Sequence, residues 1–550
     1  MKMGTKIRKY NLKQLVSFIE SKHVAVPEFQ RGFVWKTGQV KKLFDSLIKQ
    51  YPVGSFILWE TNKQIDARTL DGEKLPQKKF LILDGQQRMA SIYYLCRQKK
   101  FVEPHVKDKF HETCDNRERH VIDFEKFYID RDDNGPTLEY ARESSCKLDF
   151  NKFSRLVRNS YRLPVITISL DNYRHAIEVF ERINQAGTRI STESIFLSET
   201  WNQHSNIGKI LRTWKRQKGG SLTSGIDTVI FIHVFAIILQ LERRKRQTVE
   251  IGITTLKRIA EEVHKNSSNK YNKIFKEAVS SVARAVTYLK EEYGIISLSE
   301  LPSQTMITVL TIFFYYHKKA LTKKQATELR KWFWRSSLSN RYIGSGYSQH
   351  ISEDAMKMRD LAEHNRELNI PKASTKIFAK VKGVDIRAGR STYRNIIKQA
   401  LWQQTPVFIN GNKVARDDVE SGQHKPEDDH FFPYDLYRKK VAGPEINNIL
   451  NIHFLKGDEN SRKKHRLPSE WLQKRIKDIG ADCCAVEKYF ASQLLPFKTI
   501  KDVRRYESAF KNKGVRAKQK KFARIYQKFL WLRFKLFERT LDRLQNGRLR

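Results

Sequence analysis

The segment FLILDGQQRMASIYYL (80–95) changes from one type of secondary structure to another within a few residues. Its first part, together with Lys79, forms KFLILD (79–84), a short apolar run typical of a buried β-strand. Gly85 follows, and a glycine lets the backbone turn sharply into a helix. A buried strand that leads through a tight turn into a helix predicts a layered α/β or α+β domain, not an all-helical one.

Residues 1–200 contain further strand patterns, and residues 201–395 contain few. SFILWE (55–60) and LPVITISL (163–170) are rich in branched and aromatic residues, which favours strands. Beyond residue 200 the pattern becomes helical, as in the amphipathic run VSSVARAVTYLKEEYG (279–294). We therefore predict an α/β N-terminal domain followed by a helical domain.

Two strongly apolar runs, Val229–Leu239 and Met306–Tyr316, raise the question of a membrane span. Each run is about a dozen residues long, whereas a spanning helix needs about 20. The first residues of the chain also lack the apolar core of a signal peptide. Both runs therefore predict buried core helices, and we expect a cytoplasmic protein that makes no membrane contact.

The last 150 residues divide into two further segments. Residues 396–480 are dense in Pro, Gly, Asn and Asp around short apolar pieces, which predicts a compact, loop-rich module. Residues 481–550 predict a basic helical segment, since 501–550 alone holds 17 Lys and Arg against 4 Asp and Glu. Most aromatic residues of this end fall three or four positions apart: Phe522, Tyr526, Phe529, Trp531, Phe534 and Phe537. This spacing predicts a core-facing stripe; a helix that follows DNA is the alternative.

The net charge is the dominant property of the whole chain. Lys and Arg number 104 against 60 Asp and Glu, giving +44 and an isoelectric point near 9.9. Such a charge attracts polyanions and favours nucleic acid as the partner; a generally basic proteome or a need for solubility is the alternative. The five Cys residues include no C-x-x-C pair, so a cysteine-built zinc site has little support.

The segment EDDHFFPYDLYRKKVAGPEINNILNIHFLKGDENSRKKHRLPSEWL (427–472) combines residues suited to phosphodiester hydrolysis. The imidazole of His430 suits a general base near neutral pH. Asp429 and Asn460 offer hard oxygen ligands for Mg²⁺, which accepts one or two protein oxygens together with water and phosphate. His453 and His465 lie close enough in sequence to be rival ligands.

The order D-H-x-x-P, then Asn, then N-x-x-K and P-S-E resembles the HNH (ββα-metal) nucleases, especially those fused to modification-dependent restriction enzymes of the GmrSD type. The resemblance implies a metal ion, Mg²⁺ or Mn²⁺, held by Asp429 and Asn460, with His430 as the general base. It also implies that Asn451 braces the loop that carries the base, and that Lys463 or Lys464 contacts a DNA phosphate. Asn460 stands where many such nucleases have His.

The segment D-G-Q-Q-R (84–88) offers a second candidate site. The first turn of a helix presents backbone N–H groups that favour phosphate, and Arg88 can add a forked contact to the same group. Arg31 could approach from the preceding segment. The alternative needs no ligand, because Asp84 as N-cap with Gln87 three residues later would form a capping box.

A family resemblance favours the first interpretation. P-x-F-Q-R-x-x-V-W (27–35), Y-P-x-G (51–54), D-G-Q-Q-R and FERINQAGTRIS (180–191) resemble the ParB/sulfiredoxin-like N-terminal domain of GmrSD and SspE defence proteins. The resemblance implies binding and hydrolysis of a nucleoside triphosphate, GTP or another, at Asp84, Gly85, Gln86, Gln87 and Arg88, with Gln30 and Arg31 nearby. No G-x-x-x-x-G-K-[ST] occurs, so a P-loop is excluded.

Together these observations predict a multidomain α+β protein. Its parts would be a nucleotide-binding sensor (1–200), a helical domain (201–395), an HNH module (396–480) and a basic helical segment (481–550). The resemblance implies a modification-dependent DNA endonuclease of anti-phage defence that acts on double-stranded, modified phage DNA. Two alternatives stay open: an NTP-dependent sensor of DNA modification without nuclease activity, and an RNA-directed HNH toxin. A homo-oligomer is compatible with the sequence.

Overall fold

The computed structural model describes residues 4–548 with internal gaps and shows a mixed α/β protein that is mostly helical. The residues outside the description are 1–3, 22–23, 28–29, 31–32, 34, 49, 63–66, 69, 71–78, 97–108, 115–117, 124–160, 171–172, 186–195, 198, 201–206, 218–221, 244–247, 267–268, 386–390, 415–425, 435–446, 464–465, 509–515 and 549–550. The chain divides into two compact units. The first contains residues 1–210 and 256–272, and the second contains 211–255 and 273–550.

The first unit contains the predicted strands and several helices. Its elements are β1 (Gly4–Tyr10), α1 (Leu12–Glu20), β2 (Val24–Pro27), α2 (Thr37–Ile48), β3 (Phe56–Thr61), β4 (Ala67–Arg68), β5 (Lys79–Asp84), α3 (Gln86–Cys96), β6 (Lys109–Cys114), β7 (Glu118–Asp123), β8 (Leu163–Ser169) and α4 (Tyr173–Gln185). The three strands predicted from apolar runs are confirmed as β3, β5 and β8.

Six strands form a mixed sheet in the order β1-β8-β3-β5-β2-β4. The central strand β5 pairs parallel with β2 and antiparallel with β3. Helices α1, α2 and α3 pack on one face of the sheet, and α4 packs on the other. Strands covered on both faces bury successive side chains in opposite cores, as Ile82 and Leu83 do. This explains why the strands appear in the sequence as continuous apolar runs.

The second unit is mainly helical. Its elements, three of which begin or end in residues of the first unit, are α5 (Ile207–Gln217), α6 (Thr228–Glu242), α7 (Ile253–Lys265), α8 (Asn269–Tyr293), α9 (Thr305–Tyr316), α10 (Lys323–Leu338), α11 (Tyr347–His364), α12 (Phe378–Val381), α13 (Thr392–Trp402), β9 (Pro426–His430), β10 (Ile452–Lys456), α14 (Gly457–Lys463), α15 (Pro468–Ile479), α16 (Cys483–Ser492), α17 (Ile500–Ser508) and α18 (Arg516–Leu544). The helix predicted from 279–294 is confirmed as part of α8.

The two apolar runs form α6 and α9, which pack against each other while α9 also packs against α11. Most residues of both helices are buried, so the prediction of core helices is confirmed. In the described part of the chain no helix is both long and apolar enough to cross a membrane.

Helix α18 packs its aromatic stripe inward. Tyr526, Phe529, Phe534 and Phe537 are buried, whereas Trp531 is half exposed. The helix contacts α10, α13 and the segment Ile449–Asn451. The predicted core-facing stripe is therefore confirmed for the four buried residues, while the side chain of Phe522 lies outside the description.

Candidate functional site

Gly85 joins β5 to α3, and no other residue fits this position without strain. Its φ is +88°, which is the left-handed region that favours glycine. A Cβ at this position would lie 2.5 Å from Cδ1 of Phe56, a fully buried ring. The turn therefore needs glycine both for its backbone conformation and for the close approach of Phe56.

We expect Gly85→Ala to destabilise the first unit by roughly 2–4 kcal/mol, because the cost of the left-handed conformation and the cost of the clash with Phe56 add up. Urea denaturation of the full chain, followed by the fluorescence of its tryptophans, measures the change. Gly38→Ala is the matched control, since Gly38 lies in α2 and a Cβ at this position would meet no atom within 4 Å. An unfolding midpoint of Gly85→Ala equal to that of Gly38→Ala would contradict the requirement for glycine.

Arg88, one helical turn after Asp84, is bound between two parts of the first unit. Its Nη2 donates to Asp84 Oδ2 at 2.9 Å, and its Nη1 donates to the carbonyl of Val53. A Cβ at Gly54 would overlap this guanidinium, and Gly54 has a φ of +83°. The glycine of the Y-P-x-G motif thus makes room for the arginine of D-G-Q-Q-R.

Two glutamines of the predicted site hold the loop before α2 against β5 and α3. Gln30 is buried and donates to the carbonyls of Ile82 and Leu83, while Gln87 Oε1 accepts from the backbone N–H of Trp35 at 3.2 Å. Gln86 is half-buried in the first turn of α3. Arg31 lies outside the described residues.

The capping box that would make a ligand unnecessary does not form. Because α3 begins at Gln86 and the carbonyl of Gly85 accepts from Met89 N–H at 2.8 Å, the N-cap position belongs to Gly85. The carboxylate of Asp84 instead pairs with Arg88. The first turn of α3 directs the positive end of the helix dipole toward the strand end, an arrangement that favours an anion such as phosphate.

In the second unit, β9, β10 and α14 form a strand–strand–helix arrangement. The two strands pair antiparallel, with His430 opposite Ile452 and Asp429 opposite His453. Helix α14 follows β10 directly and packs against both strands. Residues 429 and 430 are thus gathered with residues 453 and 460, which come later in the chain, on three adjoining elements.

Asn451, just before β10, fixes the chain immediately after His430. Its Oδ1 accepts from the N–H of Phe432 at 3.0 Å, and its Nδ2 donates to the carbonyl of Phe432 at 2.9 Å. The carbonyl of Asn451 also accepts from the N–H of Phe431 at 2.7 Å. A buried asparagine that satisfies both backbone groups of one residue makes a rigid brace. This is the contact that the resemblance implies for this position.

The carboxylate of Asp429 accepts two hydrogen bonds on the same oxygen. Its Oδ2 lies 2.9 Å from His453 Nε2 and pairs with the ammonium of Lys463. Burial alone would raise the pKa of Asp429, but the Lys463 ammonium and the hydrogen bond from His453 hold this pKa well below its ordinary value. Asp429 is therefore ionised at neutral pH.

Lys463 was predicted to contact a DNA phosphate, but its side chain is only 2% exposed. Besides Asp429, its ammonium donates to the carbonyl of His430, and burial lowers the pKa of Lys463. In this arrangement the positive charge balances Asp429 inside the protein and is not offered at the surface. Lys464, the other candidate for a phosphate contact, lies outside the described residues, as does His465.

His430 has partners of its own, different from those of Asp429. Its Nε2 lies 2.7 Å from Asn447 Oδ1, and Asn447 Nδ2 in turn donates to Asp385. The ring of Tyr434 lies 5.9 Å from the imidazole. Because successive side chains of a strand alternate between its faces, Asp429 and His430 leave β9 in different directions. The chain Asp385–Asn447–His430 orients the imidazole.

Asn460, the second predicted metal ligand, lies on α14, and its Nδ2 donates to Glu427 Oε2 at 2.8 Å. Glu427 and Asp429 are two apart on β9, while Asn460 and Lys463 are three apart on α14, so each pair shares one face. The helix therefore meets the strand in two contacts, Asn460 with Glu427 and Lys463 with Asp429.

The donor set of this face fits a hard divalent cation. Glu427, Asp429 and Asn460 all supply oxygen ligands, which Mg²⁺ and Mn²⁺ prefer. Among the described residues no group of three or more His, Cys, Asp or Glu side chains is arranged as a metal site. His453 is occupied on both ring nitrogens, by Asp429 and Tyr489.

Several residues of this site were not predicted from the sequence: Asp385, Glu427, Asn447 and Tyr489. Asn447 carried a weak signal, since the adjacent pair Asn447–Asn448 interrupts an apolar run. Asp385 and Tyr489 lie 45 residues before and 59 residues after His430, and no local pattern marks either of them. Their roles follow only from the packing of distant segments.

Two comparisons with known proteins bear on these sites. Residues 12–201 match the family model described as the N-terminal domain of the GmrSD restriction endonuclease. The uncharacterised protein MJ0686 of Methanocaldococcus jannaschii is 22% identical over 530 residues, which is 85% of this chain and 87% of that protein. The N-terminal part of the chain, which includes the D-G-Q-Q-R turn, is therefore similar to a GmrSD-type N-terminal domain.

Proposed function

We propose that this chain is a restriction-type endonuclease that hydrolyses phosphodiester bonds of DNA in the β9–β10–α14 unit, under the control of a nucleotide-binding N-terminal domain. The match of residues 12–201 to the GmrSD family supports the general class. The observation that carries the nuclease assignment is the brace from Asn451 to Phe432, which holds Asp429 and His430 at the end of a strand beside α14.

DNA as the substrate is supported by charge. A net charge of +44 gives long-range attraction to a polyanion and affinity through counterion release. Such contacts position a duplex but do not distinguish sequences or modifications. Selection of modified phage DNA would therefore depend on a separate recognition step, which we assign to the N-terminal domain.

His430 would act as the general base. Its Nε2 donates to Asn447 Oδ1, which orients the ring. The imidazole would take a proton from water as the water oxygen bonds to phosphorus and one P–O ester bond breaks. The leaving oxygen would then take a proton from solvent. Asn447 and Asp385 would keep the ring in the required tautomer and orientation.

Asp429 and Asn460 would hold a divalent cation, with Glu427 as a further oxygen donor. When bound, Mg²⁺ or Mn²⁺ supplies positive charge that offsets the charge growing on the phosphate. His430 is the last residue of β9. A phosphodiester that meets both its imidazole and the Asp429 carboxylate would therefore lie at the end of this strand. The brace from Asn451 would keep that end in place during the reaction.

The N-terminal domain would bind a nucleoside triphosphate, GTP or another, at the first turn of α3. Gly85 allows the sharp approach, Gln86 and Gln87 lie in that turn, and Arg88 can exchange Asp84 for a phosphate oxygen. Gln30 holds the neighbouring loop, and Arg31 would approach from it. Since Asp84 and Arg88 pair in the structure, phosphate binding would separate them and could be sensed by the loop at Val53.

Digestion of defined nucleic acids tests the proposal. Plain DNA, glucosylated phage DNA, phosphorothioated DNA and RNA are each incubated with the full chain and Mg²⁺, with and without GTP or ATP. We expect modified DNA to be cut in a nucleotide-dependent manner and EDTA to abolish cutting. Cleavage of RNA alone would favour a toxin, and nucleotide hydrolysis without cleavage of any substrate would favour a sensor without nuclease activity.

A further inference from the structure

His453 is a fully buried histidine in β10 that has a polar partner at each ring nitrogen. Its Nε2 lies 2.9 Å from Asp429 Oδ2 on the strand directly opposite. Its Nδ1 contacts the hydroxyl of Tyr489, which comes from α16 and is also fully buried. Buried polar groups are costly unless they are hydrogen-bonded. The three side chains therefore form a series of hydrogen bonds that runs from α16 through β10 to β9.

The donor and acceptor of each hydrogen bond in this series follow from the Asp429 carboxylate at its end. An ionised carboxylate only accepts hydrogen bonds, so Nε2 of His453 carries the proton that faces Asp429. A neutral imidazole then accepts at Nδ1, and the hydroxyl of Tyr489 must be the donor there. Both hydrogen bonds are thus directed toward Asp429.

These hydrogen bonds fix one oxygen of the Asp429 carboxylate and not the other. Lys463 donates to the same Oδ2 that accepts from His453. Within the described part of the chain, both partners of the Asp429 carboxylate lie on Oδ2, and the side chain keeps 12% exposure. The oxygen that remains for an external ligand is Oδ1.

We propose that His453 and Tyr489 are positioning residues that hold Asp429 through Oδ2 and thereby present Oδ1 to the divalent cation of the nuclease site. The inference rests on the proposed function, because it assumes that Asp429 is a metal ligand. Without the N–H of His453, the carboxylate can rotate about its Cβ–Cγ bond and share Lys463 between its two oxygens. The oxygen available to a cation would then no longer be fixed.

The same geometry explains why a lysine and a histidine act together. Lys463 balances the charge of Asp429, but an ammonium is a point charge with rotatable donors, which by itself does not select one carboxylate orientation. The imidazole is planar and is held at its other nitrogen by Tyr489, so its N–H has a fixed direction. Hydrogen-bond partners of metal ligands typically contribute a 10- to 100-fold effect on metal affinity.

Binding of Mn²⁺ to the full chain, measured by electron paramagnetic resonance in the absence of DNA, tests this role. We expect His453→Leu to weaken binding by about 10- to 100-fold. His453→Gln, which restores an N–H toward Asp429, should recover most of the affinity, and Tyr489→Phe should fall between the two. Tyr342→Phe is the matched control, since it removes another buried, hydrogen-bonded hydroxyl that does not touch this site.

The outcomes separate the two proposals. Asp429→Ala shows whether the bound Mn²⁺ depends on this carboxylate, and circular dichroism shows whether each variant is folded. If the natural chain binds no Mn²⁺, or if Asp429→Ala binds it equally well, the metal site and the positioning role both fail. If Asp429→Ala removes binding while folded His453→Leu and Tyr489→Phe bind as tightly as the natural chain, the positioning role alone is overturned. Should His453→Leu not fold, Tyr489→Phe and His453→Gln decide the question.

Discussion

His430→Ala is expected to lower the rate of DNA cleavage by about 10²- to 10⁴-fold, the usual contribution of a general base. The substitution removes the group that would accept the proton of the attacking water. It leaves the Asn451–Phe432 brace, the Asp429–His453 contact and the Asn460–Glu427 contact in place, since none of these involves the imidazole. Binding of DNA and of Mn²⁺ should therefore change little.

Single-turnover cleavage of a modified duplex under saturating Mg²⁺ measures this effect. His364→Ala is the matched control, because His364 is an exposed histidine at the end of α11 in the same unit. The control should cleave at the natural rate. Full activity of His430→Ala would remove His430 from the mechanism and, with it, the assignment of the reaction to the end of β9.

Arg533→Met is expected to destabilise the second unit by about 3 kcal/mol or more, which lowers its melting temperature by roughly 4 °C or more. Arg533 is fully buried in α18 and donates to the carbonyls of four residues, namely Leu450, Ile452, Gln493 and Leu494. A buried acceptor left without a donor costs about 1–3 kcal/mol. Burial lowers the pKa of Arg533 to about 9, so removing the charge offsets part of this loss.

Differential scanning calorimetry of the full chain measures the stability effect. Arg539→Met provides the comparison, because Arg539 is an exposed arginine on the same helix. A surface change of this kind usually alters stability by less than about 0.5 kcal/mol. Equal melting temperatures for the two variants would show that α18 does not hold the segments around β10. Since those segments include Asn451, loss of Arg533 should also weaken the brace behind His430.

The layered N-terminal fold could be predicted because its signals are local. A six-residue segment with four consecutive apolar residues, followed directly by a glycine, identified β5 and the turn into α3. The lengths of the runs that became α6 and α9 were enough to predict buried helices. Such predictions succeed because periodicity and run length reflect burial directly.

Local patterns also misjudged two features. Asp84 and Gln87 have the spacing of a capping box, but the chain turns one residue later, at Gly85, and Arg88 takes the carboxylate. Lys463 lies in a basic run that suggests a surface contact with phosphate. Its position on α14, however, directs it at Asp429, and the two opposite charges pair away from solvent.

The sequence by itself determined which chemical groups the chain possesses and which local structures surround them: a basic chain, a strand–glycine–helix turn at Gly85 and an Asp-His pair before a turn. Only the tertiary structure decided which partner each group meets. Asn447 meets His430 across 17 residues, His453 meets Asp429 across 24, and Arg533 meets Leu450 across 83. Such pairings arise because buried polar groups must find donors and acceptors among whatever segments pack around them, and no local pattern records which segments those are.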